Sequence, residues 1–163
     1  MIVPFVDLKQ QYVSIKPELD LAIQGTLDDC SFVGGTRVND FENQFAKQLG
    51  SKHCIGVGNG TDALYIILKM LGLKQGDEVI TPALSWISTS ETISQTGATP
   101  VFVDIDPATY TINPIEVEKK ITPNTKAILA VHLYGHIAHM ERLKILCKKH
   151  QLLLVEDCAQ AHF

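Results

Sequence analysis

At 163 residues the chain has the length of one ordinary domain, long enough to bury a sizeable core. Hydrophobic residues make up 45% and charged residues 20%, a balance that excludes an intrinsically disordered polymer. The net charge is −4 and no run of Lys or Arg exceeds two, so nucleic acid finds no electrostatic footprint; no apolar stretch approaches a membrane span either.

In chain order, residues 18–29 read as a helix, with Pro17 tolerated at its first turn and Leu19, Ala22, Ile23 and Leu27 on one side. Residues 40–49 give a stronger helical pattern. Phe41, Phe45 and Leu49 recur every four residues, and Gly50 can close the end in a left-handed turn. From there the pattern alternates. A strand over 53–57 leads to a helix over 61–71 that aligns Leu64, Ile67, Leu68 and Leu71. A short strand over 78–81 precedes a helix over 85–96, then a strand over 101–104 and a short helix over 114–121. The last three elements are a strand over 127–133, a helix over 140–150 and a strand over 152–156. Repeated strand–helix alternation with continuously apolar strands predicts an α/β fold: a three-layer, largely parallel sheet with helices on both faces.

The chain ends just after a buried-type strand, which would leave a sheet edge open, so the expectation is the front portion of a larger protein. Residues 1–5 are too short and uncharged for a signal peptide, and Cys30, Cys54, Cys147 and Cys158 lack C-x-x-C spacing. Buried or idle thiols in a reducing cytoplasm are expected, with Cys158 among apolar neighbours.

Two motifs carry the chemistry. Gly58-Asn59-Gly60-Thr61-Asp62-Ala63-Leu64 joins an apolar run to a helical pattern. Thr61 stands where a dinucleotide fingerprint needs its third glycine, and no G-K-[ST] ending makes a P-loop. A glycine-rich turn opening a helix remains, with free N–H groups and a dipole suited to an isolated phosphate. The Thr61 hydroxyl adds a donor, whereas Asp62 repels a phosphate unless it points away. An ordinary capped helix accounts for the segment equally well.

The second motif, Leu153 to Gln160, ends an apolar run in Asp157, at the carboxyl end of a strand where open α/β folds bind ligands. A carboxylate there can keep a pyridine nitrogen protonated and make the ring an electron sink. Alternatively, Asp157 caps the next turn. Glu156 points to the opposite side of a regular strand. Trp86, the only tryptophan, can stack on a flat ring or pack in the core. A phosphate cradle and a distant carboxylate, in that order, suit pyridoxal 5'-phosphate (PLP).

Together these residues resemble the nucleotide-sugar aminotransferases of the DegT family, PLP enzymes of the aspartate-aminotransferase fold. The likeness runs from Pro4 to His162 through GNGTDAL, TPALSWIST (81–89), ATPVFVDID (98–106), HLYGH (132–136) and EDCAQAH (156–162). It implies that residues 1–163 are the N-terminal portion of the PLP-binding large domain, incomplete and without the small domain. It further implies that Gly60, Thr61 and Asp62 cradle the cofactor phosphate, Asp62 mainly through its backbone. Trp86 takes the place of the ring-stacking aromatic, Asp157 pairs with the pyridine nitrogen, and Gln160 bonds the phenolic oxygen. The family's substrates are a nucleotide-linked keto-sugar and an amino donor, usually glutamate; its members are homodimers. The wording of HLYGH and GNGTDAL leans towards a 3-keto deoxysugar.

The family continues from A-H into glycine, where this chain has Phe163. The family's Schiff-base lysine lies beyond this motif, and every lysine here, from Lys9 to Lys149, precedes Asp157. Lysine anchors the aldehyde and shuttles the proton, so the polypeptide alone is expected to be inactive, with no catalytic residue of its own. Relatives with histidine in that place are dehydratases, which leaves a sugar dehydratase open. A truncated, non-catalytic remnant is the other reading. A nicotinamide oxidoreductase lacks its third glycine. His132, His136 and His139 fall within eight residues but straddle Gly135, so a loop is expected there and no metal site.

Overall fold

The computed structural model describes residues 3–162. They form two compact units, divided between Gly56 and Val57.

The first unit holds two helices, α1 (Leu8–Asp28) and α2 (Thr36–Leu49). α1 starts ten residues before the expected Glu18, because the Asp7 side chain accepts the Gln10 N–H at 2.9 Å and caps the helix there. Pro17 therefore lies inside the helix rather than in its first turn. α2 starts at Thr36 and ends as expected, with Gly50 at φ 65° and the Ser51 N–H returning to Ala46 O at 2.9 Å. Phe41 and Phe45 stack one turn apart, ring centroids 5.5 Å from each other. The strand expected over 53–57 is not formed. A strand exists only with a ladder partner, and the Gly56 N–H instead donates to Glu42 Oε1 at 2.6 Å.

The second unit is the α/β body. α3 (Gly60–Met70) is followed by β1 (Glu78–Pro82), α4 (Ser88–Gln95), β2 (Thr99–Val103), α5 (Pro114–Lys120), β3 (Thr125–Val131), α6 (Met140–His150) and β4 (Leu153–Asp157). The strands pair in parallel in the order β2-β1-β3-β4. α4 opens at Ser88 rather than Ser85, because the Ala83 N–H still donates to Val103 O at 2.9 Å and holds the chain extended past β1.

Strand alternation divides the apolar side chains between two cores. Val79, Ala127, Leu129, Val131 and Val155 face Leu64 and Leu68 of α3 and Ile93 of α4. Ile80, Ile128 and Ala130 face Val117 of α5 and Leu143 and Leu146 of α6. Helices thus cover both faces of a parallel sheet, and full burial of the central strands explains their unbroken apolar runs. Among the described residues no helix is long and apolar enough to cross a membrane.

The strand order locates the site. From β1 the chain passes through α4 to β2 on one side; from β3 it passes through α6 to β4 on the other. Neighbouring strands whose connections leave in opposite directions open a crevice at their carboxyl ends. The segments following β1, β3 and β4 surround it.

Candidate active site

A cavity of about 330 Å³ lies at that crevice, lined by Gly60, Thr61, Trp86, His132, Asp157 and Gln160, with Leu64, Val131 and Leu133 as apolar floor. Its size suits a drug-sized cofactor. Five of the six residues singled out from sequence line this one cavity.

Asp62 does not. Its N–H donates to the Asn59 side chain at 2.9 Å, and its carboxylate accepts from Asn59 Nδ2 at 3.0 Å. The helix cap therefore uses the backbone group expected to serve a phosphate and turns the negative charge towards Asn59. Gly58 makes room for it, since a Cβ there would meet Asp62 Oδ2 at 2.5 Å. The Gly60 and Thr61 N–H groups stand at the first positions of α3, where no helical partner exists. Both are free among the described residues and point a helix dipole at one end of the cavity. The Thr61 hydroxyl sits 2.7 Å from the Ser88 hydroxyl at the start of α4. Sequence reasoning missed Ser88; the Ser/Thr run following Trp86 was the available signal.

Lining the same cavity, Asp157 is the last residue of β4 and faces the α3/α4 side together with Val155. It is half-buried. One carboxylate oxygen accepts the Ala159 N–H at 3.1 Å, leaving Oδ2 for a ligand. A turn closed by the Ala161 N–H on Cys158 O, at 2.9 Å, brings Gln160 back to the same wall. Gln160 Oε1 accepts the Tyr134 N–H at 2.6 Å, so its amide nitrogen is left to donate. Trp86 is 75% exposed and forms a side wall rather than core.

Behind the cavity, buried His132 joins β3 to β4. The Ala138 N–H donates to its Nδ1 at 3.3 Å, so the ring proton sits on Nε2, 3.0 Å from Glu156 Oε2. Glu156 is turned away from the cavity, as strand alternation requires. His136 and His139 are exposed, as expected of loop residues, whereas among the described residues His132, Glu156 and Cys158 bring one ligand atom each within 4.8 Å of one another. A metal on Nε2 would need the proton on Nδ1, where the Ala138 N–H already points, so this cluster suits an imidazole–carboxylate pair better than a metal ion. Cys158 is exposed, not enclosed by apolar neighbours, and Cys147 is the buried thiol. Partial burial, then the Glu156 and Asp157 charges, push the Cys158 thiol above its ordinary pKa of 9.0.

A helix start with free N–H groups and a carboxylate-tipped strand, meeting at the switch point of a parallel sheet, are set in an α/β fold of the PLP-dependent aspartate-aminotransferase type. The chain belongs to the DegT/DnrJ/EryC1/StrS aminotransferase family, whose sequence profile matches residues 13–163. It is 45% identical over 161 residues to the dTDP-3-amino-3,6-dideoxy-alpha-D-galactopyranose transaminase of Aneurinibacillus thermoaerophilus, covering 99% of this chain and 44% of that protein. The structure of S. venezuelae DesV in complex with a ketimine intermediate superposes with a TM-score of 0.95 at 46% identity, over 98% of this chain and 43% of that one. E. coli GDP-4-keto-6-deoxy-D-mannose-3-dehydratase with bound hydrated PLP superposes with a TM-score of 0.78 at 36% identity, over 83% of this chain and 36% of that one. The chain spans less than half the length of these relatives.

Proposed function

We propose that this chain supplies the PLP-binding wall of an aminotransferase acting on a nucleotide-linked keto-deoxysugar, with glutamate as amino donor. The observation that carries this reading is the single cavity shared by the α3 start and Asp157. The names of the relatives support the substrate class. PLP, when bound, supplies an electron sink for the substrate's α-carbon. The Gly60 and Thr61 N–H groups and the Thr61 hydroxyl hold its phosphate, with Ser88 completing the cradle. Asp157 Oδ2 keeps the pyridine nitrogen protonated, Gln160 Nε2 donates to the phenolic oxygen, and the Trp86 indole covers the ring and excludes water.

No lysine lines the cavity. We therefore assign amine anchoring and proton shuttling to a residue outside this segment, and read residues 1–163 as the N-terminal portion of a PLP-binding large domain. On this reading the 163-residue polypeptide binds PLP without turning over substrate, and the working enzyme is a cytoplasmic homodimer. The likeness to a PLP-bound dehydratase supports a second reading, sugar dehydration, which the residue at the Schiff-base position separates from aminotransfer.

Trp86 is the only tryptophan, so its fluorescence reports on the site. PLP should quench it saturably, and borohydride should leave no covalent adduct on this polypeptide. Asp157→Asn should weaken PLP binding about 10- to 100-fold through loss of a charge-assisted hydrogen bond. Equal PLP affinity in Asp157→Asn and the native sequence would overturn the site, and a reducible adduct would overturn the lysine assignment.

A further inference from the structure

We infer that the Tyr134–Gly135 turn is a positioning device that fixes which way round the Gln160 amide faces the cavity. A backbone N–H can donate only to an oxygen of that side chain. The 2.6 Å bond from the Tyr134 N–H therefore assigns Oε1 to the turn and leaves Nε2 as the atom offered to a ligand. The turn has an unusual shape for its residues. Tyr134 sits in the left-handed region at φ 56°, ψ 21°, which a side chain bearing a Cβ rarely adopts.

Gly135 follows at φ 83°, and a Cβ there would lie 3.2 Å from Gln160 O. A side chain at 135 would therefore press the Gln160 carbonyl outward as well as sit in a backbone conformation that favours glycine. The root of the turn is anchored on both sides. The His132 N–H donates to Asp157 O at 3.1 Å, and the His132 ring holds Glu156 from the other face of the sheet. Tyr134 itself is 74% exposed, so packing of its ring does not account for its backbone shape.

The chemical consequence is selectivity for an acceptor. A freely rotating glutamine can present either its oxygen or its NH2 group, but this one presents only a donor. The ligand atom it meets must accept, as a phenolate oxygen does and a hydroxyl held as a donor does not. This rests on the PLP reading above, and the probes are PLP and its 3-deoxy analogue, which lacks the phenolic oxygen.

The native protein, as the full-length chain, should bind PLP at least about tenfold more tightly than the 3-deoxy analogue. Gln160→Glu, which still accepts from Tyr134 but offers the cavity no donor, should abolish that preference. Gly135→Ala should erode it as well, whereas Tyr134→Gly, which keeps the N–H and relaxes the turn, should retain it. A general loss of structure would weaken both ligands alike and leave the ratio unmoved. Separately, the residue 134 amide should exchange with solvent about fivefold faster in Gln160→Ala than in the native protein.

Unchanged exchange in Gln160→Ala overturns the lock. A PLP preference that survives in Gln160→Glu overturns its role. If Gly135→Ala does not fold, the Gln160 and Tyr134 variants decide alone. A native protein that binds neither probe sinks the PLP reading and with it the lock's role, while the exchange comparison still reports whether the lock itself exists.

Discussion

Asp157 and Gln160 stand three residues apart, and the turn between them points both at one cavity while Glu156 and Cys158 face elsewhere. This division of labour among consecutive polar residues comes from strand alternation up to Asp157 and from the Cys158–Ala161 turn after it. Cys158 shows what the local charge does. The residue is exposed overall, yet partial desolvation of its sulfur and the carboxylates of the two preceding residues raise its pKa above the ordinary value. The thiolate is the nucleophile, so at neutral pH Cys158 should react with iodoacetamide more slowly than a free cysteine in a peptide. The midpoint of its rate–pH profile should lie above 9.0, and Glu156→Gln should move it down. A midpoint at or below the peptide value would contradict the electrostatic account.

Among the elements, α3 matters most because its first turn serves two purposes. Asn59 caps the Asp62 N–H and holds the Asp62 carboxylate, which leaves only the Gly60 and Thr61 N–H groups for an anion. Asn59→Ala should cost about 1 kcal/mol of stability. It should also weaken phosphate-group binding, because the released carboxylate can swing towards the anion. Denaturant midpoints and PLP titration measured on one preparation would check both effects. A variant that loses stability but binds PLP unchanged would show that the cap does not govern the carboxylate.

The same element shows how far a motif can be read. The glycine-rich helix start was legible as the opening of a helix with free N–H groups, but the use of Asp62 was not. Which atom caps a helix depends on the Asn59 rotamer, and residue type does not specify that. The early start of α1 has a similar cause: it is set by the Asp7 side chain accepting the Gln10 N–H, and Pro17 falls inside the helix.

At the scale of the α/β body, the site depends on both cores. Leu68 is fully buried between α3 and the sheet. Leu68→Ala should destabilise by about 2–5 kcal/mol, since the surrounding β-sheet cannot collapse into the space. If α3 holds the cofactor phosphate as proposed, PLP affinity should fall as well, and thermal melts with and without PLP would separate the two effects. A loss below about 1 kcal/mol would mean that α3 is seated by something other than this core.

β2 and β4 are the outer strands among the described residues, and β4 carries Asp157 on its last position.

Periodicity alone determined the α/β class, the two-sided burial of the strands and the positions of most elements, because a chain's apolar spacing is a direct record of which faces must leave water. Residue chemistry at two element ends was enough to nominate the helix start at Gly60 and Thr61 and the strand end at Asp157, while Gln160 came from the family resemblance. Only the tertiary structure decided that these residues share one cavity, that Asp62 stays out of it, that Ser88 joins it and that residues 53–57 form no strand. Those outcomes depend on strand order, on side-chain rotamers and on which groups find a hydrogen-bonding partner across the fold, and none of these is encoded in any single stretch of the chain.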